Sequence, residues 1–260
     1  MGISREETES QQSFPGNFFI YCGKAGLNPA ENMDKRKKYF QIMTVLGLVL
    51  AVLCYRGITD GALRLHADSA VFAEQDRPRA ALTFDDGPHA KYTPMLLEGL
   101  RKRGIHASFF LMGKNIEGKE KIVEQMQKDG HLIGNHTYDH VQLNKLPGDQ
   151  ACEQILKTNN AIYEITGEYP TYLRPPYGAW PKNLELCVTM LPVFWDVDTL
   201  DWKIRNVQSV EEIVQREVKD GSIILMHDCF ATSVEAALEV ADVLKAAGYD
   251  LVTVDELLVT

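Results

Sequence analysis

From residue 79 to the end of the chain, short apolar segments alternate with amphipathic stretches, and this alternation limits the possible folds more than any other feature. Seven mostly apolar runs read as buried strands, at 80–84, 107–111, 131–134, 171–174, 192–196, 222–226 and 250–254. Such runs, without a regular polar partner at every second position, suit parallel strands covered on both faces. Between them, 93–103 carries Met95, Leu96, Leu97 and Leu100, and 119–129 carries Ile122, Val123 and Met126. Residues 149–166, 211–219 and 232–247 repeat the pattern, for example with Ile155, Ile162 and Ile165. Gly104, Gly130, Gly167 and Gly248 fall just past helical runs, where a left-handed residue ends a helix. Strand–helix alternation predicts an α/β domain with a parallel sheet and helices outside it. Seven repeats over so short a span predict a small barrel rather than an open doubly wound sheet. No GxGxxG follows the first strand, which excludes a dinucleotide site of that kind.

The rest of the chain is organised differently. Residues 1–32 are polar and lack periodicity. The basic cluster Lys35-Arg36-Lys37-Lys38 then precedes an apolar run at 39–55, interrupted only by Gln41, Thr44 and Gly47. A basic cluster before an apolar stretch marks a signal peptide or signal anchor. The run is at the short end of the roughly 17–25 residues that cross a bilayer, yet long for a signal peptide, and no A-x-A site follows. The expectation is an uncleaved cell-membrane anchor, basic end inside and the following domain extracellular; secretion after cleavage is the alternative. Met33 stands where such a segment begins and is the expected start of translation. The expected order is a tail over 1–38, an anchor or signal segment over 39–55, a stalk over 56–78 and a catalytic domain over 79–260.

Charge narrows the partners. The 260 residues hold 27 Lys and Arg against 36 Asp and Glu, a net charge of −9. An acidic protein without basic clusters in its folded region does not suit nucleic acid, whose phosphates need clustered Lys and Arg. Five cysteines with no CxxC exclude a zinc ribbon. Cys152 and Cys187 are candidates for a disulfide outside the cell, with buried packing as the other reading.

Polar clusters follow several of the apolar runs, at the strand ends where α/β barrels hold active sites. They are TFDDGP at 83–88, HTYDH at 136–140, RPPYG at 174–178, DTLDW at 198–202 and LMHD at 225–228. Adjacent carboxylates at a strand end can divide labour between a metal and a proton. His136 and His140, four apart, face one way if they lie on one helical turn. With Asp86 they make a His₂–carboxylate set with positions left for water and substrate. That set suits zinc, and also Co, Ni or Fe. Arg174 can fix a carboxylate, and a histidine at a strand end, His227, can act as a general acid. Each cluster alone reads equally well as a turn or a packed side chain.

Together, and in this order, the clusters resemble those of the carbohydrate esterase family 4 polysaccharide deacetylases, the NodB-homology domain. The resemblance runs over about residues 79–257. It implies a distorted (β/α)₇ barrel that removes N-acetyl groups from amino sugars with one divalent metal ion. It implies Asp85 as general base, Asp86, His136 and His140 as metal ligands, and Arg174 as the residue orienting Asp85. It further implies Tyr177 as an oxyanion donor through its backbone N–H, Trp202 and Leu225 as walls of an acetate pocket, and His227 as general acid paired with Asp201. The expected substrate is N-acetylglucosamine in cell-wall peptidoglycan. The alternatives are N-acetylmuramic acid residues, an exopolysaccharide, chitin oligomers, or a barrel that binds carbohydrate without catalysis.

Overall fold

The computed structural model describes residues 37–38, 40–41, 43–56, 77–180 and 189–258. The chain divides into two compact units, Met1–Ala70 and Val71–Thr260. In the first, every described residue is helical and exposed. Phe40, Val45, Leu48, Leu53 and Tyr55 show large apolar surfaces, and the Thr44 hydroxyl donates to Phe40 O at 2.7 Å, so it adds no unpaired polar group. Among the described residues no helix is long and apolar enough to cross a membrane. The expected span at 39–55 is short and broken by polar residues, with Tyr39 and Ile42 outside the described residues. The proposed start at Met33 and nearly all of the stalk also lie outside them.

The second unit begins with β1 (Arg79–Asp85), α1 (Tyr92–Arg103), β2 (Ser108–Leu111), α2 (Glu120–Lys128), β3 (Leu132–Asn135) and α3 (Gly148–Thr166). The short strands β4 (Tyr172–Leu173), β5 (Leu191–Pro192) and β6 (Val197–Asp198) follow. Then come α4 (Asp201–Ile204), α5 (Val207–Glu217), β7 (Ser222–His227), α6 (Ala231–Ala246), β8 (Asp250–Leu251) and α7 (Val254–Leu258). All pairings are parallel, in the order β5-β4-β3-β2-β1-β7-β6. This is the α/β, parallel-strand architecture expected, consistent with a seven-repeat barrel. Gly104, Gly130, Gly167 and Gly248 all take positive φ just past their helices.

Two strands differ from the sequence reading. The run 192–196 is not one strand. Its flanks form β5, which pairs with β4, and β6, which pairs with β7. The same stretch of chain therefore supplies both edges of the sheet, and its middle crosses from one to the other: Val193 N–H donates to Leu173 O and Asp196 N–H to Ile223 O. The strand expected at 250–254 stops at Leu251. One edge of β1 is taken along its length by β7, and β2 occupies the other from Thr83, leaving β8 only Arg79 and Ala80. Beyond that, Val254 N–H donates to the buried Ser108 Oγ and α7 begins.

Strand alternation sorts the core. Ala80, Leu82 and Phe84 join Phe109, Leu111, Leu96, Val240 and Leu244 between the sheet and its helices. Ala81 faces the other way, with Phe110, Tyr172 and Val193. Thr83 and Asp85 share that inner parity, so the sheet's inner face changes from apolar to polar towards the C-terminal strand ends.

Candidate active site

Asp85 ends β1 and Asp86 follows it. In an extended strand neighbours point to opposite faces, but Asp86 has φ 72°, which breaks the alternation and lets both carboxylates reach one cavity. The Asp86 carbonyl accepts from Asn115 Nδ2 at 2.7 Å, and Gly87 O accepts from Met112 N at 3.0 Å. Gly87 is required for space: a Cβ there would meet Asp228 Oδ2 at 2.5 Å.

The histidines converge by a route other than the one expected. His136 to His140 is a loop, not a helical turn, with Thr137 at φ 64° and His140 at φ 58°. Buried Asn135 fixes this loop, accepting from Thr137 N at 2.7 Å while its amide donates to Ile155 O and Asn159 Oδ1. The imidazole centroids lie 4.9 Å apart. Asp86 Oδ1 is 3.6 Å from His136 Nε2 and 3.5 Å from His140 Nε2. It is buried and, among the described residues, has no hydrogen-bond partner.

A buried carboxylate oxygen without a donor is costly, and these separations are too long for hydrogen bonds. They do suit ligands around one small cation, since bonds of ~2.05 Å at tetrahedral angles put neighbours about 3.3 Å apart. The far sides of both rings are also engaged: His136 Nδ1 meets Arg174 O at 2.7 Å and His140 Nδ1 meets the Tyr177 hydroxyl at 3.2 Å. Such partners orient the rings and leave each Nε2 lone pair towards Asp86. Burial, and then the neighbouring His136 ring, hold His140 below its ordinary pKa, in the neutral form a ligand needs. The residues fit a metal ion.

Asp85 and His227 sit opposite each other in register on β1 and β7. Arg174, fully buried, donates from Nη1 to Asp85 Oδ1 at 2.9 Å and to Thr83 Oγ1 at 2.6 Å, and from Nη2 to Phe194 O at 3.1 Å. Its guanidinium also stacks on Phe110, 4.2 Å from the ring centre. Burial lowers its pKa below the usual arginine value, and Asp85 offsets only part of that. Asp85 thus has one oxygen tied and Oδ2 free to face His136, 3.7 Å away.

His227 is held the same way. Asp201 Oδ1 lies 2.8 Å from Nδ1, and Oδ2 accepts from His227 N at 3.0 Å. Burial opposes a charged ring, but Asp201, with Asp85 and Asp86, outweighs it and raises the His227 pKa to about 9. Burial also works against Asp201, yet its bonds to His227 hold it below the usual carboxylate range.

One cavity of about 510 Å³ collects Asp85, Asp86, His136, His140, Tyr177, Trp202, Leu225 and His227. Of the residues singled out in the sequence, only Arg174 and Asp201 stand behind this wall, each bonded to a residue in it. Tyr177 is left-handed (φ 58°), and its ring packs edge-on against His140. Trp202 is on α4, entered and left through left-handed Leu200 and Arg205.

Sequence reasoning missed Asn115, Asn135, Trp195 and Phe230. The first two are polar residues at or just past strand ends, a signal that was present; the aromatics gave none. Cys229 also lines the cavity. Burial, then nearby Asp228 and Asp86, raise its thiol pKa far above the usual value. His89 Nδ1 accepts from Lys91 N and Tyr92 N, a local turn role. Cys152 is disulfide-bonded, while Cys54 and Cys229 are free; Cys187 lies outside the described residues.

Comparison with known proteins places the chain among named relatives. The profile of the polysaccharide deacetylase family matches residues 73–192. A peptidoglycan-N-acetylglucosamine deacetylase, PgdA of Listeria monocytogenes, is 40% identical over 179 residues, 69% of this chain and 38% of that protein. The peptidoglycan-N-acetylmuramic acid deacetylase PdaC of Bacillus subtilis is 40% identical over 177 residues, 68% of this chain and 38% of its length. The solved PdaC structure superposes with a TM-score of 0.68 at 39% identity, over 70% of this chain and 90% of the solved one. The chain thus spans well under half the length of these two proteins. A peptidoglycan-N-acetylglucosamine deacetylase of Bacillus cereus, 36% identical over 192 residues, is matched across 71% of this chain and 70% of its own length. Shared over most of such a relative, and carrying the five clusters around one cavity, the chain belongs to the polysaccharide deacetylase family, carbohydrate esterase family 4.

Proposed function

We propose that the chain is a metal-dependent N-deacetylase of cell-wall glycan, releasing acetate from N-acetylglucosamine residues of peptidoglycan. One observation carries this reading: the partnerless Asp86 Oδ1 between two imidazoles, with an oriented carboxylate and an oriented imidazole in the same cavity. The metal is a divalent ion, zinc by preference of the donor set, held by Asp86, His136 and His140. When bound, it supplies Lewis acidity that polarises the acetamide carbonyl and lowers the pKa of water. Asp85 Oδ2 takes a proton from the attacking water while Arg174 holds the other oxygen. The Tyr177 backbone N–H faces the oxygen on which negative charge develops. Leu225 and Trp202 enclose the acetyl methyl. His227, bonded through Nδ1, presents Nε2 and gives its proton to the sugar nitrogen as the C–N bond breaks. The products are acetate and the free amino sugar.

The finer choice of glycan follows from the relatives' names, two of which specify N-acetylglucosamine in peptidoglycan. The reading also places the barrel outside the cell, tethered through residues 39–55 after the tail at 1–38 and carried on the 56–78 stalk. The basic-then-apolar segment and disulfide-bonded Cys152 support an oxidising compartment. The test is acetate release from purified peptidoglycan and from chitin oligomers, with and without chelator. Chelator-sensitive release is expected, faster from peptidoglycan; no release from either substrate by metal-loaded protein refutes the reading. Fractionation of native cells tests the anchor, which requires the chain in the membrane pellet.

A further inference from the structure

We infer that Arg205 reads a carboxylate carried by the sugar next to the one deacetylated. The inference rests on the deacetylase reading and names the class of glycan that site prefers. Arg205 follows Trp202 by three residues and ends α4 in a left-handed conformation, φ 50°. Its guanidinium carbon lies 4.2 Å from the centre of the Phe230 ring. Its Nε donates to Trp202 O at 3.2 Å. Trp202 and Phe230 both line the cavity. The cation is thus laid against one wall residue and tethered to another.

Stacking holds a guanidinium by its face and leaves its in-plane N–H groups free to meet a carboxylate in bidentate fashion. Nε is committed, but among the described residues the two terminal nitrogens of Arg205 have no hydrogen-bond or ion-pair partner. The side chain is exposed. Arg174, by contrast, is fully buried and spent on Asp85. The charged or titratable groups lining the cavity are the carboxylates Asp85, Asp86 and Asp198, the imidazoles His136, His140 and His227, the Tyr177 phenol and the Cys229 thiol. The three carboxylates are matched by charged His227 and by the metal ion proposed for the cavity, so a cation left over for an anionic substituent on a neighbouring sugar has to stand at the rim, and Arg205 supplies one. Peptidoglycan strands freed of their stem peptides carry a lactyl carboxylate on every second sugar, whereas chitin carries none, so the arginine favours such peptide-free strands over chitin.

The experiment measures equilibrium binding of the metal-loaded full chain to two probes, peptide-free peptidoglycan strands with free lactyl carboxylates and N-acetylchitotetraose, at low and high salt. The unaltered chain is expected to prefer the carboxylate strands, less so as salt rises. Arg205→Ala lowers the affinity ratio by about two- to fivefold at low salt, as loss of an exposed charge pair does, and Arg205→Lys keeps part of it. No preference in the unaltered chain, or equal loss for both probes in Arg205→Ala, overturns the inference. Acetate release measured in parallel bears on the other reading: preference without release keeps Arg205 and sinks the deacetylase, and release without preference does the reverse.

Discussion

Replacing Asp201 with Asn tests the proposed acid directly. His227 has a pKa of about 9 because Asp201 outweighs the burial that would otherwise depress it. Without the negative charge, burial remains and the pKa falls to or below the ordinary 6.5. That is a displacement of roughly 2.5 units, or about 3 kcal/mol between the two protonation states. The acid must be protonated to act, so activity is lost as pH rises through this pKa. At pH 8 about nine-tenths of His227 is charged with a pKa of 9, and roughly 3% with a pKa of 6.5, a loss of about thirtyfold. At pH 6 the loss from this cause is below about twofold. A bound cation lowers His227 in both proteins, so the displacement of the alkaline limb, not its position, is the observable. Asn also turns an NH₂ towards His227 Nδ1 or N–H, both now bonded to Asp201. An NH₂ set against a protonated Nδ1 or the backbone N–H costs about 1–3 kcal/mol of stability, and a thermal melt separates that loss from the change in the pH profile. The assay is kcat/KM for acetate release across pH 5.5–9.5 on metal-loaded protein, with a thermal melt beside it. An alkaline limb that stays in place in folded Asp201→Asn enzyme would falsify the pairing.

Four other outcomes are expected. Asp85→Asn keeps the metal content but slows turnover by about 10²–10⁴-fold; a loss below tenfold shows that another group takes the proton. His140→Ala, measured by elemental analysis, loses bound metal and activity while its melting curve stays cooperative; full metal occupancy contradicts the ligand set. Gly87→Ala, whose Cβ would sit 2.5 Å from Asp228 Oδ2, lowers Tm and metal affinity together, and a native Tm shows that the loop gives way easily. Burial raises Asp228 from 3.8 to about 7, so its neutral form is the one favoured in the fold, and this stabilisation is complete below pH 3.8 and lost as pH rises through 7. Asp228→Asn therefore melts progressively higher relative to the unaltered chain between pH 4 and 8, and parallel pH profiles would disprove the buried-acid account.

Most of the architecture was legible because it rests on burial. Strands such as β1 and β7 are covered on both faces and are apolar along their middles, so Leu82 and Ile224 mark them without reference to anything distant. The split of 192–196 was not legible. Residues 191–198 read as one mostly apolar stretch, and only the identity of the partners at its two ends, β4 on one side and β7 on the other, divides it. The end of β8 was hidden for a similar reason, since it depends on how much of β1 remains unpaired. In the site, Asp86, His136 and His140 were found by residue type. The backbone that joins them was misread as helical, because four-residue spacing fits both a helical turn and a loop bent by Thr137 and His140. Trp195 and Phe230 were invisible, as an isolated aromatic says nothing of which cavity it lines.

Among the described residues, six non-glycine residues have positive φ, namely Asp86, Thr137, His140, Tyr177, Leu200 and Arg205, and all lie in the loops that build the cavity. A left-handed conformation costs an L-residue about 1–2 kcal/mol, most for a β-branched one such as Thr137. Selection for heat resistance alone would first replace such residues with glycine or asparagine, which adopt the same backbone at less cost. Selection for turnover holds three of them, Asp86, His140 and Tyr177, because their side chains line the cavity. Thr137 and Leu200 are under weaker hold from chemistry. Lineages of this domain that moved to warmer habitats should record that inequality, with substitution concentrated at Thr137 and Leu200 and slow at Asp86 and His140.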